Sequence, residues 1–196
     1  MIRILVALPA LEMVKTDCIQ SVYTMNIPEG VNTKIVYFKG YGAAQSRNIA
    51  ACMCIDENYD YILYVDSDQI VPKNTFERLL ACDSPVAAGW SMMNVADNRS
   101  NISVYDKPNK NYNFILQKDV PKSEVIEVDA IGFSCVLVKR TVFDSLEYPY
   151  FKYVEYKDRT RLSEDLYFCN SLKREHGIVI KCDTSLKIGH IKQIVI

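Results

Sequence analysis

The chain has 196 residues, a length that argues for one domain able to bury a core without disulfide or metal staples. Its 23 Lys and Arg against 24 Asp and Glu leave a formal charge of −1, with no basic excess to hold a polyphosphate backbone, which argues against a dedicated nucleic-acid binder. Hydrophobic residues at 49% and charged ones at 24% are ordinary globular usage and exclude a disordered or fibrous chain.

The elements, in chain order, begin as apolar strand-like runs alternating with helix-like segments, the pattern of a parallel sheet with crossover helices. Residues 2–7 read as a buried strand stopped by Pro9, and 34–38 as a second stopped by Gly40 and Gly42. Between them, 14–25 carries Val14, Cys18, Val22 and Met25 at helical spacing, and 43–58 predicts a second helix. Residues 61–65 form the third strand, ending abruptly in Asp66-Ser67-Asp68. Pro72 is expected in a first helical turn ahead of Phe76, Leu79 and Leu80, and 85–90 is a short fourth strand. From 91 to 124 the text turns rich in Asn, Lys, Asp and Tyr with little periodicity, an excursion able to carry a hairpin and of the kind usually tied to function. Strands follow at 125–130 and 135–138, then a helix near 141–146 and an aromatic cluster around Tyr150. Ser163 is the expected N-cap of a helix with Glu164 and Asp165 in its first turn and Lys173, Arg174 and His176 in its last; Gly177 ends it, and 178–182 is the final strand.

Seven scattered cysteines, with no small-residue cleavage site after the N-terminal apolar run, predict a cytoplasmic protein with reduced thiols. No apolar run approaches the ~20 residues that span a bilayer, so no transmembrane segment is expected. Cys52 and Cys54 form a CxC that lacks the spacing of a zinc or redox pair and reads as helix packing. Asn98 and Asn101 match the glycan-acceptor pattern, which matters only in a secretory compartment.

Three places could carry chemistry. Asp66 and Asp68 stand at the carboxyl end of an apolar strand, where open α/β sheets bind ligands, and two neighbouring carboxylates suit a hard divalent ion that also holds phosphate oxygens. The plainer alternative is a solvated turn whose aspartates cap local amides. Asp165 shares a helical row with Phe168, Cys169 and Leu172, which would turn an ionised carboxylate inward where it can accept a proton from a hydroxyl; simple capping is the alternative, and the commoner one for Glu164. His190, behind Gly189, is a candidate metal ligand or a hydrogen-bonded structural residue, whereas His176 needs only a solvated role.

Taken in order, Ala44-Gln45-Ser46-Arg47-Asn48, the run Tyr61 to Asp68, Ile131-Gly132-Phe133-Ser134 with the strand after it, Ser163-Glu164-Asp165 and Gly189-His190 resemble the family 2 group of GT-A glycosyltransferases, including compact bacterial and phage forms. The resemblance implies a GT-A, Rossmann-like α/β/α fold with a mostly parallel sheet and a small antiparallel element, as one domain over 1–196: a nucleotide-binding half (1–90) and an acceptor and catalytic half (91–196). It implies a metal-dependent, inverting transfer of one sugar from a nucleotide diphosphate sugar, UDP-linked by preference, to an acceptor hydroxyl, in a bacterial or phage-infected cytoplasm. Asp68 and His190 would hold Mn²⁺ or Mg²⁺, with Asp66 reaching the ion through water or binding the donor ribose. Asp165, beside Glu164, would be the general base. Arg47 would pair with phosphate or orient Asp66, Ala7 and Pro9 would line the base, and Gly132 would let the backbone approach the sugar.

Departures from the family pattern leave other features open. Lys39-Gly40-Tyr41-Gly42 replaces the acidic pair many relatives carry after the second strand, and the QxxRW motif of polymerising synthases is absent, the single tryptophan being Trp90. The segment 91–124 and the aromatics near Tyr150 would shape the acceptor side. The acceptor itself, whether glycan, lipid carrier, protein or modified base, and the oligomeric state are not specified. The alternatives are a sugar nucleotidyltransferase, although Pro9 to Met13 lacks its Gly-rich basic loop, and a non-catalytic nucleotide-sugar-binding protein of the same fold.

Overall fold

Alternation along the first strand dictates the layering. In β1 (Ile2–Ala10), Leu5 and Ala7 join one hydrophobic cluster while Ile4, Val6 and Leu8 join another on the opposite face, all fully buried. The computed structural model describes residues 1–94, 96–109, 111–157 and 161–192. Helices α1 (Thr16–Tyr23) and α3 (Thr75–Ala81) cover the face of Ile4 and Val6 through Cys18, Val22, Phe76 and Leu79. Helices α2 (Ala43–Asp56) and α4 (Glu164–Asn170) cover the face of Leu5 and Ala7.

The central sheet runs β2 (Val31–Lys39), β1, β3 (Tyr61–Val65), β10 (Cys135–Lys139), β5 (Val86–Asn94), β13 (Ile180–His190). β1 is parallel to both neighbours and β5 to β13, while β10 is antiparallel to β3 and β5, so β10 alone is reversed among these strands. The carboxyl ends of β1, β3, β5 and β13 therefore meet at one edge, and the reversal brings the start of β10 there too. β4 (Gln69–Ile70) pairs with the end of β13 through Gly189 and His190. The antiparallel portion is larger than the small element expected: β6 (Arg99–Asp106) and β7 (Asn111–Leu116) form a hairpin on the far half of β5, β8 (Val125–Val128) pairs with β13, and β9 (Ala130–Ile131) with β6.

Several boundaries shift for identifiable reasons. β1 continues through Pro9 because its pairing to β3 ends at Ala7, leaving only β2 alongside and no ladder acceptor wanting the missing N–H. α3 starts at Thr75, since the Pro72 carbonyl instead closes a turn onto the Thr75 N–H. Arg140–Ser145 is 3₁₀, and α4 relaxes into a π-helical turn over Ser171–Glu175. The excursion 91–124 is mostly strand. Its periodicity is hidden because β6 buries Ser100, Asn101 and Ser103 beside Ile102. Likewise β13 runs eight residues beyond Cys182, its polar Asp183 buried against Arg78 through two hydrogen bonds of 2.6 and 3.0 Å. No described helix is long and apolar enough to cross a membrane.

Candidate active site

The turn after β3 is pinned by its own backbone. The carbonyl of Asp66 accepts from the Gln69 N–H at 3.1 Å, that of Ser67 from the Lys15 N–H at 2.9 Å, and that of Asp68 from the Ile191 N–H at 2.9 Å. Three elements thus hold the loop and leave both carboxylates to face the cleft. This is the tertiary fixation that a merely solvated turn would lack.

His190 meets Asp68 directly: Nε2 lies 3.1 Å from Oδ2, while Nδ1 lies 2.7 Å from the Met92 carbonyl. A carbonyl only accepts, so Nδ1 carries a proton and donates it; the Asp68 carboxylate also only accepts, so the bond at Nε2 is made by the imidazolium, and loss of that proton turns the Nε2 lone pair to whatever cation stands beside Asp68. The hydrogen bond between the two side chains lowers the Asp68 pKa and raises that of His190, in each case against desolvation. The Gln69 amide donates to the other Asp68 oxygen at 2.8 Å. Gly189 allows this docking, since a Cβ there would sit 3.1 Å from that of Ile70.

Arg47 is the keystone of the opposite wall. It is 3% exposed, donates from Nη2 to Asp66 Oδ1 at 2.8 Å and from Nη1 to Glu164 Oε1, and its guanidinium lies 5.1 Å from the centroid of Phe133. Burial alone would push its pKa down; the surrounding Asp66, Glu164 and Asp165 charges raise it instead, so it remains cationic. Asp66 is pushed up by burial and pulled back by Arg47, with a net rise. Asn48 locks the same helix by bonding both the N–H and the carbonyl of Phe151, at 3.0 and 2.7 Å.

Asp165 enters from α4, where Phe168, Cys169 and Leu172 are buried as the row predicts. Ser163 sits at the N-cap with extended backbone, but its hydroxyl makes no cap bond; it donates to Asp165 Oδ1, which also accepts from the Leu166 N–H at 2.8 Å. Oδ2 lies 3.5 Å from where a Cβ on Gly132 would stand, and that Cβ would also come within 3.2 Å of the Asn101 Cβ. Exchange of Gly132 for Ala should therefore keep the fold yet displace Asn101 by a few tenths of an ångström and set a methyl group in contact with Asp165 Oδ2. The expected result is roughly a tenfold lower turnover with donor binding unchanged, checked by steady-state kinetics beside nucleotide titration.

The cleft has two lobes that share Asp66, Asp68 and Asp165. One, about 390 Å³, lies between the end of β1 and the start of α2 and is bordered by Pro9, Leu11, Tyr41 and Arg47. The other, about 270 Å³, is bordered by Asn101, Phe114, Gly132, Leu166, His190 and Lys192. Ala7 reaches neither: it is fully buried between Val36 and Tyr64 in the sheet, so Pro9, Ala10 and Leu11 occupy the place expected of it. Glu164 is buried against Arg47, which sets it apart from Asp165 as a group able to exchange protons with a ligand. Two of the aromatics near Tyr150 also lie elsewhere, Phe151 stacking on Phe168 at 4.4 Å and Tyr150 lining a separate cavity with His176, whereas Tyr153 borders a groove with Ser163 and Leu166.

Residues that sequence patterns did not single out complete the floor. Asn101, 3% exposed, accepts from the Ser91 N–H at 2.8 Å and donates to the Gly132 carbonyl and the Ser134 hydroxyl, both at 2.9 Å. Its only local signal was the glycan-acceptor pattern, for which it is buried. Among the described residues no group of three His, Cys, Asp or Glu side chains could by itself hold a metal. Asp68 and His190, with Nδ1 already committed to Met92, nevertheless fit as a two-residue half-site completed by water and phosphate oxygens. All described cysteines are unpaired thiols, and burial raises the pKa of six, Cys18, Cys54, Cys82, Cys135, Cys169 and Cys182, to about 11 or beyond, which keeps them inert.

No protein-family model and no curated protein sequence matches the chain. Among solved structures, A197 from STIV superposes with a TM-score of 0.70 at 19% identity, covering 98% of this chain and 87% of that one. UTP-bound UGPase from Acinetobacter baumannii superposes with a TM-score of 0.54 at 8% identity, covering 96% and 88%. The inositol-1-phosphate CTP transferase from T. maritima reaches 0.47 at 12% identity. What the first two likenesses establish is architecture: this chain has a mixed α/β fold, with five co-directional strands in its central sheet, that is shared with A197 and with a UGPase solved with UTP bound.

Proposed function

We propose that the chain is a metal-dependent, inverting glycosyltransferase that moves one sugar from a nucleotide diphosphate sugar, UDP-linked by preference, to an acceptor hydroxyl. The observation that carries this is the meeting of two lobes at Asp165, with Asp68 and His190 side by side, 3.1 Å apart, in the same cleft. Pro9, Leu11 and Tyr41 would receive the base and ribose in the larger lobe, Tyr41 being a ring free to stack. Asp68 and His190 would hold Mn²⁺ or Mg²⁺, which when bound supplies Lewis-acid stabilisation to a departing nucleoside diphosphate. Arg47 keeps Asp66 aimed inward, and Glu164 keeps Arg47 in place. Asp165 Oδ2, left free by bonds that engage only Oδ1, takes the proton of an acceptor hydroxyl held in the smaller lobe as that oxygen attacks from the face opposite the leaving group.

The second reading is sugar nucleotidyl transfer, favoured by the fold shared with UTP-bound UGPase. Against it, the connection after β1 has no glycine and carries Glu12, and among the described residues the Lys and Arg side chains lining the two lobes are Arg47, already bonded to two carboxylates, and Lys192. That is little charge for a nucleoside triphosphate. A panel of nucleotide sugars with and without Mn²⁺ decides: release of free nucleoside diphosphate supports glycosyl transfer, pyrophosphate from a triphosphate and a sugar phosphate supports the second reading, and tight donor binding without turnover supports a binding protein. Asp68→Ala and His190→Ala should each weaken Mn²⁺-dependent UDP binding by about tenfold or more in calorimetry. Unchanged metal titration would remove both from the ligand set.

A further inference from the structure

The smaller lobe shares part of its wall with a second cavity. Ser163 and Leu166, which border that lobe, also border a groove of about 610 Å³ beside the two-stranded hairpin β11 (Val154–Glu155) and β12 (Arg161–Leu162). The lobe at Asp165, about 270 Å³, falls below the ~300–1,000 Å³ usual for whole small-ligand sites and suits one small ring; the groove lies well within that range. Its lining mixes a ring with charged hydrogen-bonding groups. Tyr153 is 64% exposed, and the Arg161 guanidinium meets Glu155 at 3.3 Å with much of both side chains open to solvent. An aromatic face flanked by charged donors and acceptors matches the C–H face and hydroxyl edges of a sugar, whereas an acyl chain would desolvate these groups and offer them no hydrogen bonds.

We propose that the acceptor is a carbohydrate chain of two or more units: its terminal ring sits against Asp165, and the next crosses Leu166 into the groove between Tyr153 and the Glu155–Arg161 pair. The proposal rests on the glycosyl-transfer reading above. It is tested with the full chain, Mn²⁺ and UDP on an array of mono- to pentasaccharides, followed by titration of the bound series. Disaccharides and longer should bind about tenfold or more tighter than their monosaccharides, the scale of one or two charge-assisted hydrogen bonds. Arg161→Ala and Tyr153→Ala should flatten that length dependence, while Tyr153→Phe, which keeps the ring, should retain most of it; the exposed Arg161 site guards against loss of folding.

Equal affinity at every length, a length dependence that none of these variants alters, or preference for a peptide or long-chain alcohol overturns the groove assignment. If nucleotide sugars still release nucleoside diphosphate, only that assignment falls. If neither donor nor glycan binds, both readings fall.

Discussion

Asp165→Asn should lower sugar transfer by about 10²–10⁴-fold while leaving nucleotide binding and thermal stability close to wild type. The variant is clean because the structural and chemical duties of this carboxylate fall on different oxygens. Oδ1 accepts from the Ser163 hydroxyl and the Leu166 N–H, and an amide oxygen can accept both bonds equally well. Oδ2 faces Gly132 at the junction of the lobes, and an amide nitrogen placed there cannot take a proton from an acceptor. Single-turnover transfer measured beside calorimetric UDP binding checks this. Turnover within a few-fold of wild type would remove Asp165 as the base, and a parallel loss of nucleotide binding would assign it to the donor site instead.

Arg47→Ala should be the most disruptive single change in the cleft. It strips the cation from Glu164, whose side chain is 9% exposed, and from Asp66, a third exposed, so both carboxylates lose the partner that offsets their burial. Breaking a buried pair of this kind costs about 3–5 kcal/mol, which in a domain of this size corresponds to a fall in Tm of roughly 10 °C. Metal-dependent donor binding should fail with it, because Asp66 loses its orientation. Arg47→Lys should rescue little: an ammonium lacks the planar fork that reaches two carboxylates from different elements while lying over Phe133. Scanning calorimetry and UDP titration check both variants. A stability loss under about 1 kcal/mol would show that the guanidinium bridge is incidental.

Much of the scaffold was legible because its signals are local. A five-residue apolar run broken by Asp66-Ser67-Asp68 is a strand end wherever it lies, and the buried row Phe168, Cys169 and Leu172 follows from the helical period alone. The segment 91–124 was opaque for the converse reason. Strand β6 buries Ser100 and Asn101, whose partners lie far along the chain, the Ile115 carbonyl on β7 and the Ser134 hydroxyl in the turn before β10, so no apolar alternation marks it. Ala7 misled in the same way: position along a strand tells which face a residue takes, not how far its neighbours extend beyond it.

Residue types at short spacing determined which groups could do chemistry here: the two aspartates, the acid pair of α4, Arg47 and His190 were all in view before any fold was. Tertiary structure alone decided which of them act together. Glu164 and Asp165 are adjacent in sequence, yet a bond across 117 positions commits the first to Arg47 and leaves the second an oxygen open to the cleft. His190 stands 122 positions from Asp68 and meets it only because β13 continues to the same sheet edge. Side-chain chemistry is intrinsic to a residue, whereas its partners are chosen by long-range packing, and that is why Asn101, unremarkable in one dimension, ties β5 and β6 to the turn between β9 and β10.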